Sequence, residues 1–179
     1  MDKMQFYQVK TVEETIEIIR EQVEPIKDTL TLPLEEALHY VLAEDVIAGE
    51  DVPGFTRSTV DGYAVQARDT FGSSDSMPSF LRVIGEVEMG KEVTTKISSG
   101  EAMYIPTGGM LPEGSDSVIM IEYCENIDGL LNTYQQVTPG ENVIKAGEDV
   151  AQGEVILTKG TKLRPQDLGV LGSLGITQV

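Results

Sequence analysis

The chain has 179 residues and a formal net charge of −17, set by 30 acidic against 13 basic side chains, with 40% hydrophobic and 24% charged residues. That balance belongs to a folded globular protein with enough chain for a sizeable core. It argues against a nucleic-acid or anionic-lipid surface, because the field of so acidic a molecule repels phosphate.

Cys124 is the single cysteine, which excludes an intrachain disulfide and a thiolate metal cluster. His39 is the single histidine, so any catalytic triad would have to use it, yet its apolar helical setting suits a core or surface role better. Met1-Asp2-Lys3-Met4-Gln5 lacks the apolar run of a signal peptide. No stretch approaches the roughly 18 apolar residues of a membrane span, so a cytoplasmic location is expected.

In chain order, Thr11 followed by Glu14 has the form of a capping box, and Val12, Ile16, Ile19 and Val23 then recur at helical spacing. A first helix is expected over residues 12–24, stopped by Pro25. A second is expected from Pro33, an early-helix proline, with Leu34, Ala37, Leu38, Val41 and Leu42 on one face. From there to about Lys145 the period becomes strand-like. Residues 63–65, 80–87, 102–105, 117–122 and 130–137 are short, rich in β-branched or aromatic residues, and separated by Gly, Pro, Ser and Asp. Asn126-Ile127-Asp128-Gly129 reads as a hairpin connection, and residues 70–79 and 91–100 as surface loops. Val155-Ile156-Leu157 is a further strand, and a last helix opens at Pro165, with Leu168, Leu171 and Leu174 on one face and Gly175 at its end.

These elements predict an α+β fold. A discontinuous α/β domain, residues 1–47 with 147–179, would supply two N-terminal helices and a C-terminal strand and helix. An all-β, barrel-like domain, residues 48–146, would be inserted between them.

Chemistry-bearing residues gather in three loops. Asp51-Val52-Pro53-Gly54 and Phe55-Thr56-Arg57-Ser58-Thr59-Val60-Asp61-Gly62 crowd hydroxyls, an arginine and two carboxylates onto a turn fixed by Pro-Gly, although Asp61-Gly62 is also an ordinary hairpin signal. Thr107-Gly108-Gly109 follows a strand and lets the backbone approach a ligand while offering a hydroxyl, but it lacks the Gly-Lys-Ser/Thr ending of a P-loop. Lys145, Glu148 and Asp149 sit in a third loop at the predicted domain junction, where carboxylates can hold a hard cation or simply face solvent.

Taken in order, these loops resemble the signature of the molybdopterin molybdotransferases, the MoeA and gephyrin E-domain family. The resemblance rests on residues 51–65, on Thr107-Gly108 with Pro112-Glu113-Gly114, on Gly147-Glu148-Asp149 and on Leu174-Gly175-Ile176, and covers the whole chain but only the N-terminal portion of the family's sequence. It implies insertion of molybdate into adenylylated molybdopterin with Mg²⁺ and release of AMP. It also implies a homodimer, a relationship to the upstream molybdopterin adenylyltransferase, and a cleft lined by Asp61, Thr107 and Asp149. Asp61 and Asp149 are then the expected catalytic and Mg²⁺-binding residues, and Thr107, Gly108, Ser58 and Lys145 the expected substrate contacts. The family's segment before Gly-Glu-Asp is often rich in arginine, whereas Lys145 alone stands here, a point charge without the arginine fork. The C-terminal pterin-binding domains are expected to be absent and the chain inactive on its own. A non-catalytic dimerisation or binding module is the alternative.

Overall fold

The computed structural model describes residues 9–24 and 26–179. Its first element is helix α1 (Val12–Gln22), whose capping box forms as expected: the Thr11 side chain accepts from Glu14 N at 3.2 Å and Glu14 Oε2 accepts from Thr11 N at 2.9 Å. The helix is two residues shorter than expected, and the stop at Pro25 lies outside the described residues. No residue of α1 is buried; the apolar stripe Val12, Ile16, Ile19 and Val23 is uncovered.

The second helix does not form. Only a single 3₁₀ turn, Leu34–Glu36, is present, and His39 sits in the left-handed region at φ 71° rather than within a helix. The backbone here is recruited by distant segments: His39 N donates to Leu163 O at 3.0 Å, Leu42 N to Thr161 O at 3.0 Å and Leu34 N to Thr177 O at 2.9 Å. Donors committed to cross-chain pairing are lost to the i−4 ladder that a helix needs. Burial follows suit, with Ala37 and Leu42 inside but Leu38 and Val41 exposed.

The strands are β1 (Val46–Ile47), β2 (Arg57–Ser58), β3 (Gly62–Val65), β4 (Ser79–Glu86), β5 (Glu101–Ile105), β6 (Ser117–Met120), β7 (Cys124–Ile127), β8 (Leu130–Thr133), β9 (Val143–Ile144) and β10 (Val155–Leu157), followed by helix α2 (Pro165–Ser173). Six of them form one curled sheet in the order β6-β3-β5-β4-β8-β7, a half-barrel in which only β4 and β5 run parallel. Strand β7 has no counterpart among the expected strands, because Glu125 and Asn126 interrupt the apolar pattern. It pairs with β8 across Asp128-Gly129, where both residues have positive φ (51° and 86°), the requirement of a two-residue hairpin turn matched to strand twist.

Both faces of the sheet are covered. Tyr63, Val65, Leu81, Ile119 and Leu131 pack on one side, and Ala64, Val87, Ile97, Met103, Ile105 and Val118 on the other. Successive residues of β3 thus point into different clusters, as period-two geometry dictates. A third cluster joins Ala37, Leu42, Leu163 and Leu171, with Leu34, Val46, Leu157 and Leu168 packed against it, so residues 32–46 share a core with residues 157–179. Strands β1 and β10 pair beside it. Helix α2 begins where Arg164 and Asp167 clasp each other: Asp167 Oδ2 accepts from Arg164 N and Nε and Oδ1 from Nη2, each at 2.9 Å.

Candidate functional site

The segment 51–61 runs between the other two loops and is hydrogen-bonded to both. On one side Ser58 N donates to Gly109 O at 3.0 Å, Gly108 N to Ser58 O at 2.9 Å and Leu111 N to Thr56 O at 2.9 Å. On the other side β2 pairs antiparallel with β9, Arg57 opposite Ile144 and Ser58 opposite Val143, and Thr59 N donates to Asn142 O at 3.0 Å. Upstream the pairing continues: Val52 N donates to Val150 O at 2.8 Å, Asp149 N to Val52 O at 3.0 Å and Gly147 N to Pro53 O at 3.0 Å. The three loops are therefore one assembly, held by backbone pairing between segments far apart in sequence.

Within it Asp61 meets Thr107. The Thr107 backbone N–H donates to Asp61 Oδ1 at 2.7 Å and its hydroxyl donates to the same oxygen at 3.0 Å. These two bonds, the backbone one first, hold the Asp61 carboxyl below the usual carboxylate range, against a smaller opposing effect of desolvation. Asp61 is thus a carboxylate with one oxygen fully engaged, and Oδ2 receives none of the described hydrogen bonds. The turn that aims Thr107 depends on its glycines. Gly108 has φ 81°, and a Cβ on Gly109 would stand 2.9 Å from both Ile105 Cγ1 and Pro106 O.

The other expected residues occupy different positions. Ser58 is 2% exposed, and its hydroxyl donates to Val60 O at 2.6 Å and accepts from Val60 N at 3.2 Å, so it shapes the turn into Asp61 and presents no free donor. Lys145 is exposed, with its backbone N–H on Glu148 Oε2 at 2.9 Å. With Glu148, Glu141 and Thr138 it borders a shallow cavity of about 670 Å³ that Asp61, Thr107 and Asp149 do not line. Asp149 is exposed at the Val52 end of the assembly.

Two organising residues of the first loop are given no individual role by the sequence reading. Thr56 Oγ1 accepts from Ala146 N at 3.2 Å, and Asp51 Oδ1 accepts from Gln152 N at 2.7 Å while lying 3.0 Å from where a Cβ on Gly147 would be. Their side chains close the third loop onto the first, and an Asx or hydroxyl residue flanking Pro-Gly was the available signal.

The donor set does not make a Mg²⁺ site by itself. Among the described residues no group of three or more His, Cys, Asp or Glu gathers, and Asp61 and Asp149 lie on different loops, Asp61 against Thr107 and Asp149 beyond Val52. An oxygen-seeking cation needs more ligands converging than these two supply. Also among the described residues, no helix is long and apolar enough to cross a membrane.

Residues 10–175 match the model of the MoeA N-terminal region (domain I and II). The chain is 37% identical over 156 residues to the molybdopterin molybdenumtransferase of Bacillus subtilis, covering 85% of this chain and 36% of that protein. It is 40% identical over 149 residues to the molybdopterin molybdenumtransferase of Haemophilus influenzae, covering 83% and 36% respectively. The crystal structure of a molybdopterin biosynthesis MoeA protein from Pyrococcus horikoshii OT3 superposes with a TM-score of 0.83 at 41% identity, over 93% of this chain and 44% of that one. With the loop assembly and half-barrel in place and a match running through both, the chain belongs to the MoeA N-terminal family and spans well under half the length of these relatives.

Proposed function

We propose that the chain is the N-terminal portion of a molybdenum-cofactor biosynthesis enzyme that inserts molybdate into adenylylated molybdopterin and releases AMP. The observation that carries the reading is the Asp61–Thr107 pair, fixed by two hydrogen bonds where the first loop meets the second. Such a reaction asks chiefly for positioning and electrostatic stabilisation of phosphate and oxoanion groups. Asp61 would act through Oδ2, accepting a hydrogen bond or proton from the substrate. The Gly108 backbone allows close approach, Ser58 holds the turn, and Lys145 offers a positive charge at the neighbouring cavity. Asp149 would act from the far end of the assembly. Mg²⁺ would need ligands from substrate or another subunit.

On this reading residues 1–47 and 147–179 form a discontinuous dimerisation domain around the inserted β domain 48–146. The partners are a second copy and the upstream molybdopterin adenylyltransferase. The chain alone is expected to give negligible turnover.

A chimera in which residues 10–175 replace the matching region of the Bacillus subtilis relative tests the reading. It should form cofactor and release AMP from adenylylated molybdopterin and molybdate, and Asp61→Asn should abolish both while lowering the unfolding midpoint only slightly, since an amide oxygen can still accept both Thr107 bonds. Undiminished turnover in the folded Asp61→Asn chimera would remove Asp61 from the chemistry. A folded but inactive parent chimera would overturn the assignment.

The uncovered stripe of α1 favours a second reading, a non-catalytic dimerisation or binding module. Sedimentation of the chain with and without Ile16→Asp and Ile19→Asp tests whether α1 makes the contact between copies; turnover in the chimera, expected only on the first reading, separates the two.

A further inference from the structure

A shallow, open cavity of about 680 Å³ is bordered by Tyr63, Tyr104, Glu86 and Asn126, together with Gly85 and Gly129. The Asp61, Thr107 and Asp149 site does not line it. Its volume falls in the range of small-ligand sites.

The groups facing it are left partly unpaired. Tyr63 is only 7% exposed, and its hydroxyl oxygen accepts from Asn126 Nδ2 at 3.4 Å. The Asn126 amide is oriented by Gly129 N, which donates to its Oδ1 at 3.1 Å. Among the described residues no group accepts the Tyr63 hydroxyl proton, so the phenol retains a donor at the cavity. The Tyr104 ring lies across the ladder from Tyr63, centroids 5.7 Å apart at 75°. Glu86 is in register with Tyr104 beyond an irregularity in β4 between Val83 and Glu86, the kind of bulge that re-aims a side chain. It is exposed and takes part in no ion pair among the described residues. The rim is bare at Gly129, where a Cβ would meet nothing within 4 Å.

An unpaired carboxylate beside an aromatic ring selects a cation, and a free phenolic donor nearby selects a carbonyl. We propose that this cavity binds an arginyl residue of a partner polypeptide, its guanidinium stacked on Tyr104 and paired with Glu86, and its carbonyl accepting the Tyr63 proton. Arginine is preferred to lysine because its planar fork can stack and donate at once. A peptide source is preferred because the chain's charge of −17 attracts a basic partner, whereas free arginine brings its own carboxylate to an acidic rim.

The test is an NMR titration of the 179-residue chain at low salt with the blocked peptide acetyl-Gly-Arg-Gly-amide, its lysine and glutamate counterparts, and free L-arginine. The arginine peptide should give saturable shifts at Tyr63, Tyr104, Gly85 and Gly129. The lysine peptide and free arginine should bind more weakly and the glutamate peptide not at all. Glu86→Gln should weaken the arginine peptide about tenfold, the effect of one charge-assisted contact. Tyr63→Phe, which removes only the hydroxyl, should weaken it about threefold on the same scale. Thermal unfolding of both variants should match the parent, which separates lost binding from lost fold. Absence of saturable shifts, or equal binding to Glu86→Gln, would overturn the site. Free arginine binding as tightly as the peptide would overturn the partner assignment.

Discussion

Substituting alanine for Gly62 tests whether close backbone approach organises the sheet next to Asp61. Gly62 begins β3, opposite Ile105 of β5 and Met120 of β6. A Cβ there would lie 1.9 Å from Ile119 O, 2.8 Å from Ile119 C and 3.2 Å from Met120 Cα. A close C···O contact needs roughly 3.3 Å, so β6 would have to retreat by roughly 1.4 Å. The obstructing atoms are backbone, which no rotamer change can move aside. Overpacking of a filled interior costs about 1–3 kcal/mol and more when backbone must shift, which places Gly62→Ala near 3 kcal/mol. For a chain of this length that lowers the melting temperature by about 6–12 °C. Gly169→Ala is the control, because Gly169 lies inside α2 with nothing within 4 Å of its Cβ position. It should stabilise by about 0.5–1 kcal/mol through helix propensity. Urea unfolding followed by circular dichroism measures both. Gly62→Ala within 0.5 kcal/mol of the parent would refute the reasoning, since strand propensity alone predicts a gain on replacing glycine.

At the candidate site, Thr107→Val should raise the Asp61 carboxyl toward its ordinary range by deleting the hydroxyl donor, and Thr107→Ser should leave it depressed; carbon-detected titration of Asp61 reads the difference. The depressed carboxyls of Asp61, Glu101 and Asp167 bind fewer protons folded than unfolded. Their contribution to stability is therefore complete above the ordinary carboxylate range and lost as pH falls through the depressed folded values, measurable as a declining urea midpoint in acid. Burial pushes the Cys124 thiol up to about 11, so iodoacetamide at pH 8 should modify it far more slowly in the folded chain than in urea, and equal rates would contradict that placement.

Local signals carried the β module furthest. β-branched and aromatic content marked β4 and the Asp128-Gly129 turn announced a hairpin; outside that module, the Thr11 and Glu14 capping box of α1 formed with both its bonds. Residues 34–42 misled because their apolar spacing is helical while their backbone partners, residues 161–163 and 177, lie more than a hundred positions away. No window-based pattern contains that competition. Strand β7 escaped because its alternate positions Glu125 and Ile127 are both exposed and only the pairing with β8 defines it. At the site, residue types and loop order were legible, but hydroxyl directions were not. Ser58 and Thr107 looked equivalent as donors; one turns back on Val60 and the other engages Asp61. That choice is made by the backbone ladder between the loops, which is a property of the assembled chain.

Helix α1 has a thermodynamic consequence of its own. None of its 11 residues is buried and only Ile18 is half-buried, so its helicity rests mainly on the Thr11 and Glu14 cap. A helix of that length is marginal in water without packing. In the isolated chain it should therefore melt as a local equilibrium, losing its 222 nm signal along a gradual slope at temperatures where the half-barrel is still intact. The cooperative transition that follows would report on the three buried clusters, and shortening α1 would leave its midpoint in place.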